Sequence, residues 1–478
     1  MAKIGLIPAA GAGVRAYPTT NYIPKVMLEI AGKPIVLRNI EIMRDKLGIK
    51  DIFVITGYMA DVIKSFLKDG SAFGVRIKYI NCDEHTVGLA RGILLAKDII
   101  KEDFVAILGD EVYINSDHEI ISDIKGWDFA VGCALMRSDD AKLISKNYTV
   151  TVNGDRITTL IEKPQHIEHD ILGCGTYLFT PAIFDAIEKT APSKRSGKVE
   201  LTDAIGTLVA QGKKVYPLFL IGEYHNINSV EDYNFANYMC RATYFNTFKV
   251  SVVIPAYNEA ESIAYVVKDF VDKVDEVFVV DNSSKDRTRE AALEAGARVE
   301  TVSLEGYGDT IRYGLDNAKG DILVVVEADH SFRAKDLGKF LEYMKDSDMV
   351  IGTRTTRQMV EQGANMKGLL RWGNVFVGKL VEFLWWGHEP RFTDVGCTYR
   401  AIWKDTYLKI RDRLEGVGPE FSPEMMIEVL RARKRIIEIP ISYYKRSTGV
   451  SKHSENYLKV SKTALRMLVM IFKKRWKK

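Results

Sequence analysis

Hydrophobic residues follow two alternating patterns along this chain. Short apolar runs rich in β-branched residues are separated by longer segments in which apolar residues recur every three or four positions. The first pattern predicts buried strands, and the second predicts amphipathic helices. In the first half the strand candidates are KIGLIPA (3–9), DIFVITG (51–57), RIKYIN (76–81) and FVAILGD (104–110), and the helix candidates are VLRNIEIMRDKLG (36–48) and ADVIKSFLKD (60–69). Strands that alternate with helices predict βαβ units and a mostly parallel α/β sheet.

The same alternation begins again near residue 248. A helical stretch, VEDYNFANYMCRATYF (230–245), is followed by the strand candidates FKVSVVIPA (248–256), EVFVVD (276–281), DILVVVEAD (321–329) and DMVIGTR (348–354). A chain of 478 residues is long enough for two such domains, since a domain averages about 150 residues. We therefore predict two Rossmann-like, mostly parallel α/β domains in tandem. Their predicted bounds are 1–244 and 248–455, with a C-terminal helix at 456–478.

Composition narrows the class of protein further. The net charge of +4 is too small to indicate a nucleic-acid partner, and we expect none. The five cysteines (Cys82, Cys133, Cys174, Cys240 and Cys397) are widely spaced and form no CxxC pair, which argues against disulfides and against a zinc site. No apolar run is long enough for a signal peptide or a spanning helix. We expect a cytoplasmic location, with at most peripheral attachment to the cytoplasmic face of the membrane.

The most unusual loop is GAGVRAYPTTNYIPK at residues 11–25. A dinucleotide fingerprint needs a third glycine where Ala16 stands, and Pro18 disfavours a helix beginning there. No GK[ST] follows, so a Walker loop is excluded as well. Two interpretations remain. Either the glycines let the backbone approach a phosphate while Arg15 and Lys25 neutralise its charge, or the segment is a solvated basic loop.

Further segments follow this loop in a fixed order. They are GD (109–110), EKP (162–164), GTYLFTP (175–181), ELTDAI (200–205) and NINSVEDY (226–233). Asp110 comes directly after a predicted strand, and a carboxylate at the carboxyl edge of a parallel sheet can hold a divalent ion. Over residues 3–240, this ordered set resembles the sugar-1-phosphate nucleotidyltransferase family.

The resemblance implies a nucleoside triphosphate, a sugar 1-phosphate, Mg2+ and a nucleotide-sugar product. It places around the triphosphate Ala10, Gly11, Gly13, Arg15, Lys25 and Gly88, the last in GLARG (88–92), where the family usually has GTAGA. It places Lys163 and Glu200 at the sugar phosphate and Gly175 beneath the sugar. Asp110 would bind the metal, joined by Asn226 or Asn228, where the family often has an aspartate.

Four segments of the second half suggest a second site. They are SVVIPAYNEAESI (251–263), VVDNSSKDRT (279–288), EGYGDTIRYGLDNAKGD (305–321) and VVVEADHSF (324–332). Each alone is a strand end followed by polar turn residues. Together, over residues 249–455, they resemble the family 2 glycosyltransferases of the polyprenyl-phosphate (dolichyl-phosphate) mannosyl- and glucosyltransferase type.

This resemblance implies a nucleotide site formed by Pro255, Tyr257, Glu259, Asp281, Asn282 and Asp286. Glu327 and Asp329 would correspond to the family's D-x-D motif and share Mg2+ or Mn2+. DVGCTYRAI (394–402) and YKRSTGVSK (444–452) would form the acceptor side. A lipid-phosphate acceptor is already ionised and would be bound by Arg400, Arg446 and Lys452, whereas a sugar hydroxyl would need Asp394 as a base.

The C-terminal segment bears on the acceptor. Leu465, Leu468, Val469 and Phe472 share one helical face, and seven basic residues lie around them without an acid. This pattern is typical of a helix that lies on a membrane surface. The alternative is a helix whose apolar face packs on its own domain.

The leading hypothesis is a bifunctional enzyme that makes a nucleotide sugar and transfers a sugar, with Arg15, Lys25, Asp110, Lys163, Asp329 and Asp394 as catalytic residues. The acceptor would be polyprenyl phosphate at a membrane surface. Two alternatives remain open: an acceptor that is a soluble or glycan hydroxyl, or one half that is a non-catalytic module binding nucleotide sugars.

Overall fold

The computed structural model describes residues 2–13, 19–83, 88–362, 364, 368–388, 390–446 and 457–476. The chain divides into two compact units, Met1–Cys240 and Arg241–Lys478. A helix at Val230–Tyr244 crosses this division, a few residues before the predicted boundary. All five cysteines are buried and none is disulfide-bonded.

The first unit contains thirteen strands and seven α-helices among its described residues. The strands are β1 (Ile4–Ala9), β2 (Glu29–Ile30), β3 (Lys33–Pro34), β4 (Asp51–Thr56), β5 (Arg76–Asn81), β6 (Phe104–Ile107), β7 (Glu111–Ile114), β8 (Val131–Arg137), β9 (Tyr148–Asn153), β10 (Arg156–Glu162), β11 (Ile171–Phe179), β12 (Val215–Phe219) and β13 (Glu223–Asn226). The helices are α1 (Ile35–Glu41), α2 (Ala60–Leu67), α3 (Leu89–Leu94), α4 (Ala141–Lys146), α5 (Ala182–Lys189), α6 (Leu201–Ala210) and α7 (Val230–Tyr244).

The main sheet of this unit is parallel on one side only. Strands β5, β4, β1 and β6 are parallel neighbours in that order. The long strand β11 then runs antiparallel to β6 and pairs with β8 and β9, which are antiparallel to it as well. Every residue of β11 is buried, as in a parallel strand, so its hydrophobic pattern does not reveal its direction.

Successive residues of the central strands point to opposite faces of this sheet. Leu6 lies in one hydrophobic cluster and its neighbour Ile7 in the other. Because β1 and β6 are parallel neighbours, their carboxyl ends lie side by side, and the loops after them approach closely. At Gly109, a Cβ atom would lie 2.6 Å from the carbonyl oxygen of Pro8, so only glycine fits there.

A separate two-stranded ribbon, β7 with β13, lies beyond the end of β6. It is antiparallel, and its register pairs Glu111 with Asn226. This pairing matters for the site because Glu111 directly follows Asp110.

The second unit contains seven strands and eight α-helices among its described residues. The strands are β14 (Val250–Ala256), β15 (Glu276–Asp281), β16 (Arg298–Thr301), β17 (Ile322–Val325), β18 (Met349–Thr353), β19 (Arg400–Trp403) and β20 (Ile436–Pro440). The helices are α8 (Ile263–Phe270), α9 (Thr288–Glu294), α10 (Tyr307–Asn317), α11 (Leu337–Met344), α12 (Gly368–Leu384), α13 (Lys404–Ile410), α14 (Phe421–Arg431) and α15 (Tyr457–Trp476).

The seven strands form one sheet in the order β16-β15-β14-β17-β19-β18-β20. Strands β16, β15, β14 and β17 are parallel, and β19 runs antiparallel to both of its neighbours. The predicted tandem of Rossmann-like α/β domains is therefore confirmed, with antiparallel strands that the sequence pattern did not distinguish.

The C-terminal helix α15 packs on its own unit, and most of the predicted apolar face stays exposed. Met470, Ile471 and Lys474 are buried, whereas Leu465 and Val469 of the predicted face are 62% and 60% exposed. The Nζ atom of Lys474 lies 2.7 Å from Glu424 Oε1, on α14. In the described part of the chain, no helix combines the length and the apolar character that crossing a membrane requires.

Candidate active sites

A cavity of about 430 Å3 opens at the carboxyl ends of β1 and β6 in the first unit. Ten of the predicted site residues line it: Ala10, Gly11, Gly13, Lys25, Asp110, Lys163, Gly175, Glu200, Asn226 and Asn228. Gly88 is not among the lining residues, although Leu89 and Gly92 of the same segment are. Arg15 lies outside the described residues.

The glycine loop and Lys25 form one end of this cavity. Gly13 has φ +61°, and its carbonyl oxygen accepts a hydrogen bond from Thr20 Oγ1 at 3.0 Å. Lys25 is buried, and its Nζ atom lies 2.5 Å from Asp110 Oδ2. Because Gly11 is open to solvent, with no atom within 4 Å of a Cβ there, packing does not explain its glycine. The geometry gives Lys25 a carboxylate partner, so it is not a simple solvated cation.

A cluster of oxygen atoms lies beside Lys25. Glu111 is fully buried and its Oε1 atom accepts a hydrogen bond from Asn226 Nδ2 at 3.1 Å. Burial raises the pKa of Glu111 well above its usual range, and the charge of Asp110 raises it further. A Cβ atom at Gly175 would lie 2.5 Å from Glu111 Cγ, so glycine at 175 makes room for this carboxyl group. Sequence reasoning missed Glu111, although two consecutive acids after a strand were visible.

These oxygen donors fit a hard divalent cation. Asp110 supplies a carboxylate at the cavity, and Asn226 Oδ1 is buried with no hydrogen-bond partner in the described structure. Carboxylate and amide oxygens are ligands that Mg2+ and Ca2+ accept. In the described part of the chain, no group of three His, Cys, Asp or Glu side chains is arranged to hold a metal, so a site here depends on the amide oxygen as well.

Lys163, Glu162 and Glu200 also line the cavity. Lys163 has φ +50°, an uncommon conformation for a residue with a side chain, and its N–H donates to Asn147 O at 2.7 Å. Glu162 beside it has its pKa raised by burial and then by the charge of Glu200. Arg195 Nη2 lies 3.7 Å from Glu162 Oε1 and 3.4 Å from Glu200 Oε1. Glu162 and Arg195 are further polar residues that sequence reasoning did not select.

The second unit has a cavity of about 300 Å3 at the carboxyl ends of β14 and β17. Seven predicted residues line it: Pro255, Tyr257, Glu259, Asn282, Glu327, Asp329 and Arg446. Gly306, Tyr307 and Thr310, at the beginning of α10, also line it and were not predicted as site residues.

Arg446 joins the two carboxylates in this cavity. Its Nε atom lies 2.7 Å from Asp329 Oδ2, and its Nη2 atom lies 3.8 Å from Glu327 Oε2. Glu327 Oε1 accepts a hydrogen bond from Thr398 Oγ1 at 2.7 Å. Burial, followed by the charge of Asp329, raises the pKa of Glu327 to about 7. Arg446 was predicted on the acceptor side, and the structure places it directly against the carboxylates predicted to bind metal.

Two predicted nucleotide-site aspartates do not line this cavity. Asp281 is buried, and its carboxylate accepts hydrogen bonds from Ser284 N at 3.3 Å and Thr301 Oγ1 at 3.1 Å. Asp286 accepts from Thr288 N at 3.0 Å, at the beginning of α9. Both carboxylates therefore hold loops that surround the cavity, and their contact with a nucleotide stays a prediction.

The predicted acceptor residues Asp394 and Arg400 also lie outside the cavity lining. Asp394 is fully buried, and Arg354 holds both of its oxygens, with Nε at 2.8 Å from Oδ2 and Nη2 at 2.9 Å from Oδ1. Arg400 donates to Ser422 O at 2.7 Å and to the carbonyl oxygen of Cys397. Burial lowers the pKa of Arg400. Lys452 lies outside the described residues.

Comparison with known families agrees with the two sites. Residues 4–240 match the family model described as nucleotidyl transferase, and residues 251–401 match glycosyl transferase family 2. The UTP–glucose-1-phosphate uridylyltransferase AglF of Haloferax volcanii is 34% identical over 229 residues, which cover 48% of this chain and 92% of AglF. The chain belongs to the nucleotidyl transferase family. Its second half carries a glycosyl transferase family 2 domain, so both predicted resemblances are confirmed.

Other relatives match each half of the chain separately. The low-salt glycan biosynthesis nucleotidyltransferase Agl11 of Haloferax volcanii is 33% identical over 49% of this chain and 64% of its own length. The glycosyltransferase AglJ of the same organism is 32% identical over 42% of this chain and 64% of its own length. The chain thus spans a little under two thirds of these two relatives. A solved UDP-glucose pyrophosphorylase complexed with UDP-glucose aligns with a TM-score of 0.45 and 24% identity, over 52% of this chain and all of that one.

Proposed function

We propose that the nucleotidyltransferase unit joins a nucleoside triphosphate to a sugar 1-phosphate, releasing pyrophosphate and a nucleotide sugar. The observation that carries this proposal is that one cavity is lined by the glycine loop, by the pair Lys25 and Asp110, and by Lys163 and Glu200. The attacking phosphate oxygen is already anionic, so the reaction needs no general base. Its barrier is the repulsion between two polyanions, which cations and correct positioning reduce.

The residues of this unit divide that task between them. Lys25 and Lys163 are two cations that line the cavity, and each would bind a phosphate group. Asp110 and Asn226 would hold Mg2+, which when bound neutralises phosphate charge. Release of pyrophosphate across a grid of four nucleoside triphosphates and common sugar 1-phosphates tests the proposal. One active combination supports it and names the nucleotide sugar, whereas a folded but inactive protein contradicts it.

We propose that the second unit transfers a sugar from a nucleotide sugar to polyprenyl phosphate. Glu327 and Asp329 would hold Mg2+ or Mn2+ at the donor diphosphate, beside the guanidinium of Arg446. Asp394, the base that a hydroxyl acceptor would need, is buried and bound at both oxygens by Arg354. This arrangement favours an acceptor oxygen that is already ionised, such as a lipid phosphate, over a soluble or glycan hydroxyl.

An exposed aromatic face supports a lipid acceptor. We use this name for eight large apolar residues on and beside α12 and α15, two helices that contact each other: Trp372, Phe376, Phe383, Trp386, Leu465, Val469, Phe472 and Trp476. Six of these side chains are more than 60% exposed, and Trp386 is the most exposed at 75%. Val469 is 60% exposed and Phe472 is 38% exposed. Exposed cations (Lys462, Arg466 and Arg475) lie on α15 as well. Apolar side chains flanked by cations fit the surface of an anionic bilayer.

Sedimentation with lipid vesicles tests this surface. The double substitution W372S/F376S should lower binding to vesicles containing anionic phospholipid by at least about tenfold, since burying one aromatic side chain contributes about 1.5–3 kcal/mol. Y343S is the matched control, because Tyr343 is 45% exposed but lies on α11. Unchanged vesicle binding by the double variant would contradict the proposal, and a dimer that forms without vesicles would assign the face to a second copy.

Separate substitutions distinguish two active units from one silent unit. D110N should abolish pyrophosphate release and leave sugar transfer from added nucleotide sugar intact, and D329N should do the reverse. If either variant changes nothing, the corresponding unit is a binding module. Because both units are in one chain, the product of the first is released near the second, which raises its effective concentration. Comparing transfer from sugar 1-phosphate by the full chain and by an equimolar mixture of D110N and D329N proteins measures that gain.

A further inference from the structure

Glu111 is the buried group of the first unit that the proposed mechanism leaves unused. It has no exposed surface and lines the cavity next to Asp110. Its Oε1 atom accepts one hydrogen bond from Asn226, and its Oε2 atom has no hydrogen-bond partner in the described structure. A buried carboxyl oxygen without a partner destabilises a fold, so its presence here calls for a ligand.

Two of the neighbouring donors have other partners, although the Tyr224 hydroxyl also lies close enough to Glu111 to lower the pKa of that carboxyl group. The hydroxyl of Tyr224 donates to Asn147 Oδ1 at 3.3 Å, and Asn226 Nδ2 shares that acceptor at 3.3 Å. The ammonium group of Lys25 lies against Asp110 at 2.5 Å. Asn226 Oδ1 is, like Glu111 Oε2, buried and without a hydrogen-bond partner in the described structure. Two partnerless oxygens thus lie on paired residues of β7 and β13, beside the carboxylate of Asp110.

We propose that Glu111 is a ligand of the divalent cation, together with Asp110 and the amide oxygen of Asn226. The family often has an aspartate where this chain has an asparagine, which removes one negative charge from the metal site. Glu111 restores that charge from the opposite strand of the ribbon. The identity of the reaction rests on the proposed function, but the binding of the cation does not, because it is measurable without any substrate.

The competing explanation is a structural one, in which Glu111 is a neutral acid that only hydrogen-bonds Asn226. The two explanations differ in what a neutral isostere does. If Glu111 is structural, E111Q keeps the affinity for metal. If Glu111 is a ligand, E111Q loses affinity, and E111Q/N226D regains it because the carboxylate returns on the facing strand.

The experiment is titration of the full-length protein with Mn2+ alone, followed by electron paramagnetic resonance of the free ion. All variants carry D329N, which removes the metal site proposed in the second unit. E111Q should weaken Mn2+ binding at least about tenfold, and E111Q/N226D should recover most of that loss. E162Q is the matched control, since Glu162 is a largely buried carboxyl group in the same cavity, and it should bind Mn2+ like its parent.

Thermal unfolding with and without Mn2+ provides the second readout. E111Q should be about as stable as its parent in the absence of metal, because the neutral amide keeps the shape of the side chain and removes the repulsion with Asp110, but Mn2+ should raise its melting temperature less. Mn2+ affinity of E111Q equal to that of the parent would overturn the proposal, as would a parent protein that binds no Mn2+. Pyrophosphate release by the wild type is assayed separately, so failure of this inference and failure of the proposed function are distinguishable. If E111Q does not fold, E111D, which keeps the charge, must bind Mn2+ more tightly than E111A.

Discussion

Lys474 anchors the C-terminal helix through a buried charge cluster. Its side chain is 1% exposed, and its Nζ atom lies 2.7 Å from Glu424 Oε1 and 3.1 Å from Glu428 Oε1. Glu424 and Glu428 have no exposed surface. The substitution K474M keeps the length of the side chain but removes the cation that both carboxylates share.

The expected loss of unfolding free energy depends on the hydrogen-bond partners that each carboxylate keeps in K474M. Glu424 still accepts hydrogen bonds from the backbone N–H groups of Glu415 and Gly416, at 2.9 Å and 2.7 Å, and Glu428 still has Arg431 Nη1 at 2.8 Å. Breaking a buried ion pair by removing one partner costs about 3–5 kcal/mol. Because both acids keep other hydrogen-bond partners, we expect the lower end of this range, about 3 kcal/mol of unfolding free energy.

Urea unfolding followed by tryptophan fluorescence measures this change, since five of the six tryptophans lie in the second unit. The control is K473M at the neighbouring position, where Lys473 is exposed and makes one ion pair with Glu415. This control should unfold at the same urea concentration as the wild type. If K474M unfolds at the wild-type urea concentration as well, the buried charge cluster does not anchor α15 and so does not fix the position of the exposed aromatic face.

Two further predictions concern the first unit. G175A should abolish pyrophosphate release and destabilise the protein by about 1–3 kcal/mol, because the added Cβ atom would overlap Glu111. The control G206A should change neither property, because no atom lies within 4 Å of a Cβ atom at that position. Pyrophosphate release and urea unfolding of the two variants measure these effects. Burial, followed by the charge of Lys46, lowers the pKa of His118 from 6.5 to about 3. Between pH 6.5 and about pH 3, His118 is therefore protonated in the unfolded chain and neutral in the folded chain. The free energy of unfolding should fall by about 1.4 kcal/mol for each pH unit through this range. H118Q should remove that part of the pH dependence, measured by urea unfolding at pH 7 and pH 5, and an unchanged slope would contradict the assignment.

The sequence predicts which loops form a site better than it predicts which side chains face it. Ten predicted residues line the first cavity, and four of them (Ala10, Gly11, Gly13 and Asp110) do so because a parallel sheet brings the carboxyl ends of β1 and β6 to one edge. Asp394 shows the limit of this reasoning. Its motif suggested a catalytic base, but its partner Arg354 lies forty positions earlier, and no local pattern reveals that pair. Glu111 was missed for the same reason, since its contact with Asn226 depends on two strands 115 positions apart.

The docking of α15 shows a second limit. Hydrophobic periodicity selects Leu465, Leu468, Val469 and Phe472 as one apolar face, for a membrane surface or for the domain, and assigns no packing role to a lysine. The structure buries Lys474 instead, since two glutamates of α14 compensate its charge. Hydrophobic periodicity, which considers one residue at a time, therefore cannot predict a packing face that depends on paired charges.

The two cavities share one electrostatic arrangement, in which a cation of the chain contacts an aspartate. Each has an aspartate in a partly buried cavity, where isolated charges are unfavourable. In the first, Lys25 lies 2.5 Å from Asp110, and in the second, Arg446 lies 2.7 Å from Asp329. In each case a cation of the chain balances a carboxylate proposed to bind metal. The same cation is then available to a substrate phosphate. On the proposed functions, a substitution that removes Lys25 or Arg446 should change metal binding and phosphate binding together, because each cation contacts a carboxylate proposed to bind metal.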